Sequence, residues 1–141
     1  MTVVLSDAAR QYIALFEDLT DATARDCVVD EERDRVLLLV KPGQMGRAIG
    51  AGGQNVAKLE EKLGKDVVLV EDADTPEVFV ANALAPAAVY HVTISENDTT
   101  VAYAEVAHED TGVAIGKDGR NIAGAKLLAK RHHDVDDIQL T

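Results

Sequence analysis

Two short turns, Gly50-Ala51-Gly52-Gly53 and Gly116-Lys117-Asp118-Gly119, are where residue type and spacing could do chemistry in this chain. That chemistry is the holding of an anion. Glycine has no Cβ, so it accepts positive φ and lets a ligand's backbone come close. A helix that starts directly after such a turn offers unpaired N–H groups and the positive end of its dipole. Lys117 and Arg120 add charge-assisted donors in the second turn, and Arg47 and Gln54 are their nearest equivalents in the first. Asp118 opposes an anion, but its cationic neighbours outnumber it, so the second turn is expected to grip phosphate harder than the first.

One Gly-x-x-Gly would be weak evidence. Here a shift of 66 residues aligns Gly46 to Ala57 with Gly112 to Ala123, and 7 of the 12 positions are identical. Both copies read Ile-Gly-x-x-Gly-x-Asn followed by Val56 or Ile122. Other phosphate motifs fit poorly. Neither turn ends in Gly-Lys-(Ser/Thr), and neither has the Rossmann glycine spacing directly after a strand.

Catalytic constellations are not found. His132 and His133 close a helix rich in cations, where a capping role is expected. His91 and His108 have no nucleophile paired with them, and Glu60-Glu61 and Asp136-Asp137 read as solvated faces. Cys27 is the single cysteine, which excludes an internal disulfide and reads as a small buried hydrophobe. An enzyme, a cofactor and a metal site are therefore not expected.

The elements around the turns repeat as well. Ser6 suits an N-cap, and Ala9, Tyr12, Ile13, Phe16 and Leu19 follow helical spacing. Strand-like runs cover Cys27 to Asp30 and Arg35 to Val40, and a short helical segment leads into the first turn. A helix over Gln54 to Leu63 ends at Gly64, and Val67 to Val70 closes the unit. After Asp72-Ala73-Asp74, Thr75 and Pro76 open a helix to Leu84. Strands Val89 to Ser95 and Thr100 to Ala107, the second turn, a helix ending near Arg131 and a strand Asp137 to Leu140 complete the second copy. The expected division is residues 1–71 as one domain, 72–76 as linker and 77–141 as the second domain. The fold class is α+β, with a small three-stranded sheet in each half.

Composition agrees with two small aliphatic cores: 47% of residues are hydrophobic and only 4% aromatic. The net charge of −11 taken alone argues against a nucleic-acid partner. Its distribution changes that. Lys41 to Lys65 holds five cations against two acids, and Gly112 to His133 holds five against one, while Asp72 to Thr111 has eight acids and no cation. The acidic background, with 15 Asp to 10 Glu, suits a salt-loving host. No apolar run is long enough to span a membrane, and Met1 to Ser6 does not read as a signal peptide, so a cytoplasmic protein away from membranes is expected.

The two turns resemble the loops of KH domains, which clamp about four backbone nucleotides of single-stranded nucleic acid. The helix-first order is similar to the type II, prokaryotic form. The run Pro76 to Ala87, with Asn82-Ala83-Leu84-Ala85-Pro86 inside it, and the run Ala114 to Ile122 resemble the second KH domain of NusA transcription factors. The polymerase-binding and S1 domains of the bacterial members have no counterpart here, so the likeness is to the short archaeal form with two KH domains.

The resemblance implies RNA binding in transcription termination or antitermination, with a ribosomal or RNA-processing role as the alternative. The implied partner is single-stranded RNA, with RNA polymerase or the ribosome as the associated machinery and a monomer as the expected state. The implied contacts are Arg47, Ile49, Gly50, Ala51, Gly52, Gly53, Gln54, Asn55 and Val56 in the first domain. In the second they are Ile115, Gly116, Lys117, Asp118, Gly119, Arg120, Asn121 and Ile122. Phosphates would sit on the glycine loops and bases over Ile49, Val56, Ile115 and Ile122. Asn55 and Asn121 could bond RNA or cap a turn.

Overall fold

In the computed structural model, which describes residues 4–141, the first helix starts where the sequence marks it. The Ala9 amide donates to Ser6 Oγ at 3.1 Å, and helix α1 spans Asp7–Thr20. Such an N-cap supplies about 1 kcal/mol by satisfying one of the helix's orphan donors. The helix ends at Asp21, whose φ of 58° is the left-handed turn-off that Asp tolerates better than most residues. Met1 to Val3, part of the stretch read as unlike a signal peptide, lie outside the described residues.

Strands β1 (Ala24–Asp30) and β2 (Arg35–Val40) form a hairpin, and β3 (Asp66–Glu71) lies parallel to β2, giving the order β1-β2-β3. Between β2 and β3 come helix α2 (Met45–Ile49), the first glycine turn and helix α3 (Gln54–Leu63). The core joins Ala9 and Phe16 of α1, Ala48 of α2 and Leu59 of α3 to Val36, Leu38 and Val40 on one face of β2. Every residue of β2 is buried, including Arg35, which bonds Asp30 at 2.8 Å across the hairpin. β1 begins three residues before the expected Cys27. Its Asp26 is buried although polar by type, and the Asp26 carboxylate accepts the Cys27 amide at 2.8 Å.

The second unit repeats the plan. Thr75 caps helix α4 (Pro76–Ala83), with the Val78 amide donating to its Oγ1 at 3.3 Å. Strands β4 (Val89–Glu96) and β5 (Thr100–Val106) pair antiparallel, and β6 (Asp137–Leu140) runs parallel to β5. A 3₁₀ turn at His108–Asp110 leads into helix α5 (Thr111–Ile115), the second glycine turn and helix α6 (Arg120–His133). Phe79, Val80 and Ala83 of α4 are buried, as are Ala125, Leu128 and Ala129 of α6. Both units are α+β with one three-stranded sheet each, as expected. The chain divides between Asp72 and Ala73. None of the described helices is long and apolar enough to cross a membrane.

At the end of α6, His133 reaches outside its own helix. The His133 ring bonds the Ala73 carbonyl through Nε2 at 3.1 Å and stands edge-on to Phe79, with ring centroids 4.7 Å apart. His132 also lies against Phe79, at 5.8 Å. The turn-off is made by Asp134, at φ 56°, whose amide bonds the Ala129 carbonyl.

Candidate nucleic-acid interface

Each glycine turn is held between a five-residue helix and a longer one, and the two backbones coincide. Gly50 and Gly116 have φ/ψ of 77/167° and 80/168°. The third positions, Gly52 and Asp118, have 63/19° and 56/26°. The fourth, Gly53 and Gly119, have 76/15° and 74/12°. Three of the four positions in each turn thus lie at positive φ, which explains the glycines. Asp118 occupies such a position without being glycine, and Asp is among the residue types that accept it.

Hydrogen bonding separates the loop amides into two groups. Gly50 N–H donates to the Gly46 carbonyl at 3.0 Å and Gly116 N–H to Gly112 at 2.9 Å. Gly53 N–H donates to Gly50 at 3.1 Å and Gly119 N–H to Gly116 at 3.0 Å. The Gln54 and Arg120 amides donate to the Ala51 and Lys117 carbonyls. The first amide of each following helix is therefore occupied, and neither helix start has a side-chain cap. Within each turn, two adjacent amides have no partner among the described residues: Ala51 and Gly52, and Lys117 and Asp118. All four residues are exposed. Each turn therefore offers two adjacent N–H donors to solvent or to an anion.

The asparagines stand behind the turns. Asn55 Nδ2 donates to the Arg47 carbonyl at 3.1 Å, and Asn121 Nδ2 donates to the Ala114 carbonyl at 3.0 Å and to Leu84 at 3.3 Å. Both Nδ2 groups bond the main chain of the preceding elements, which fastens the turns, one of the two roles expected for these residues.

The apolar candidates divide. Ile49 and Ile115 are 38% and 40% exposed beside the first glycines, while Val56 and Ile122 are half-buried. Val113, which the sequence reading left out, is 44% exposed on α5. The 66-residue shift places it at the position of Arg47, and that equivalence was the available signal.

The cations are less available than the two basic islands suggest. Lys126 pairs with Asp137 at 3.2 Å, and Lys130 with Asp136 at 2.7 Å and Asp134 at 3.2 Å. Lys65 pairs with Asp34 at 2.8 Å, and these bonds raise the Lys65 and Lys130 ammonium groups above the ordinary lysine range. Arg47 donates through Nη1 to the Asp21 carbonyl at 3.2 Å, at the C-terminal end of α1. Lys117 at the second turn makes no ion pair among the described residues.

Comparison with known proteins matches this architecture. Residues 76–141 match the model of the NusA-like second KH domain, and residues 10–82 match a KH domain. A Halobacterium salinarum protein named "Probable transcription termination protein NusA" is 69% identical over 141 residues, covering 100% of both chains. A Halococcus morrhuae protein of the same name is 61% identical over 140 residues, covering 99% of each. The crystal structure of APE1850 superposes with a TM-score of 0.86 at 33% identity, covering 97% of this chain and 100% of that one.

Proposed function

This chain belongs to the NusA family, and from that premise we propose that it is an RNA-binding transcription termination factor that grips single-stranded RNA through its two glycine turns. The observation that carries the reading is the pair of vacant amides in each turn, held in the same backbone conformation in both domains. Two adjacent donors on a glycine-rich turn suit a phosphate oxygen. Ile49 and Ile115, exposed next to the first glycines, supply apolar surface for the bases. Arg47, Gln54, Lys117 and Arg120 flank the phosphate path. The reading is of a binding protein, with termination as its setting because the relatives carry that name.

The test is titration of labelled single-stranded RNA with the whole chain and with an Ala51→Asp/Lys117→Asp double variant. Both positions are exposed and neither needs positive φ, so the fold is retained. A loss of at least about tenfold at unchanged melting temperature is expected, since two repelling charges replace a neutral side chain and a cation. Unchanged RNA affinity would mean that the turns are structural and would favour a protein-interaction module. Co-purification with RNA polymerase, rather than with ribosomal subunits, is the expected cellular counterpart.

A further inference from the structure

The two turns reach the same charge by different means. From Arg47 to Gln54 the sole charge is Arg47; from Val113 to Arg120 there are two cations and one anion, Asp118. Each segment therefore carries one net positive charge. In the first it sits on a helix and bonds the Asp21 carbonyl, and the turn itself is neutral. In the second the turn contains Lys117 and Asp118 side by side, and they sum to zero.

That neutrality is not a salt bridge. Elsewhere in the same unit neighbouring acids and lysines close on one another, as Lys126 does on Asp137 and Lys130 on Asp136. Lys117 and Asp118 make no such contact: both are exposed and neither side chain has a partner among the described residues. The φ of 56° at Asp118 turns the chain between them. The ammonium thus stays available for short-range contact with phosphate, while the carboxylate cancels its field at longer range.

We infer that Asp118 sets the salt response of RNA binding, holding the second turn to contacts that depend on main-chain amides and little on counterion release. This rests on the RNA reading above and adds a role for one residue within it. Each phosphate neutralised by a net cation on a single strand steepens the fall of log K with log salt by about 0.7. With Asp118 present, Lys117 brings no net cation to that turn. Carboxylate repulsion matters in dilute buffer, where the Debye length is about 10 Å at 0.1 M, and fades near molar salt, where it is about 3 Å.

The experiment is RNA titration from about 0.1 to 2 M KCl with the whole chain and three variants. Asp118→Asn removes the charge but keeps a residue type that tolerates the left-handed region. Its slope should steepen by about 0.7, which makes it about eightfold tighter than the parent at 0.1 M and level with it near 2 M. Gly52→Asp transfers the carboxylate to the equivalent position of the first turn and should flatten the slope by a similar amount, binding more weakly at 0.1 M. Gly52→Asn is the uncharged reference at that position, and the Gly52→Asp slope should be the flatter of the two by about 0.7. A parental slope for Asp118→Asn overturns the inference. So does a gain that persists at 2 M, since that would signal a new hydrogen bond from the Asn amide. An unaltered chain that binds no single-stranded RNA at any salt removes the underlying reading as well; parental binding with unmoved slopes removes only the role of Asp118.

Discussion

A Cβ placed on Gly116 would lie 2.7 Å from both the Cβ and the backbone nitrogen of Asn121. At Gly50 the equivalent Cβ would lie 2.8 Å from Cγ and Nδ2 of Asn55, atoms at the movable end of a side chain. Both glycines also sit at positive φ, 77° and 80°. Gly50→Ala can be absorbed by turning Asn55 away from the Arg47 carbonyl, at a cost of about 1–2 kcal/mol for strain and one lost hydrogen bond. Gly116→Ala must move main chain and should cost more, about 2–4 kcal/mol. Gly119→Ala meets no atom within 4 Å and carries only the φ penalty, about 1 kcal/mol. Chemical denaturation of the three variants should give the order Gly116, Gly50, Gly119 from most to least destabilised; equal losses would mean that the asparagines do not wall the turns.

The asparagines themselves should differ. Asn121 ties the turn to two carbonyls, Ala114 in α5 and Leu84 at the end of α4, whereas Asn55 ties it to Arg47 alone. Asn121→Ala should cost about 1–3 kcal/mol and Asn55→Ala about half that, since each abandoned carbonyl loses a net bond of roughly 1 kcal/mol. Amide exchange at Lys117 and Asp118 should quicken in Asn121→Ala beyond the change expected from global stability. Exchange that merely tracks the global loss would count against Asn121 as the fastener of the turn.

The order of elements was readable because each is punctuated by a residue with one strong local preference. Ser6 and Thr75 cap, Gly64 ends α3 at φ 67°, and α3 and β6 fall on the expected bounds. The misread parts depend on distant partners. Asp26 extends β1 beyond the expected Cys27 and is buried although its type favours solvent. Lys126 and Lys130 look like a basic face until Asp134, Asp136 and Asp137 fold back on them. His133 finds Phe79 and Ala73 rather than its own helix end. The positions of the glycine turns were legible from the repeat. Which of their amides stay vacant was not, because that depends on where the Gly50, Ala51, Gly116 and Lys117 carbonyls point.

Ile115 separates stability from binding. It is 40% exposed, so truncation removes little buried area, and Ile115→Ala should lower stability by no more than about 1 kcal/mol. If bases lie over it, RNA affinity should fall about three- to tenfold, in line with the lower range for a lost base contact. Ile138→Ala is the control: that residue is 2% exposed and lies in β6, so it should cost about 2–5 kcal/mol. Parental RNA affinity for Ile115→Ala would remove it from the interface.

Acid should loosen the corner between α6 and β6 in a way that traces to one carboxyl. The bond from Lys130 holds the Asp136 carboxyl below its usual range, aided by the Thr100 amide, which donates to it at 2.8 Å. A folded-state pKa below the unfolded value means that the contribution is present above the unfolded pKa, about 3.9 for Asp. It is lost as pH falls through the lower, folded value. On the alkaline side Lys130 is raised by the same bond, so its contribution is complete below the unfolded lysine pKa of about 10.4 and is lost above it. Between about pH 5 and pH 10 the pair should leave stability flat. Asp136→Asn keeps an acceptor for Thr100 but removes the charge. Its melting temperature should lie below the parent's at pH 7, approach it as pH drops below about 4, and differ less in molar salt, because the pair is exposed and screened. Melting curves for both proteins from pH 7 down to about pH 2 decide the matter. Parallel curves over that whole interval would show that other carboxylates, not Asp136, carry the acid sensitivity.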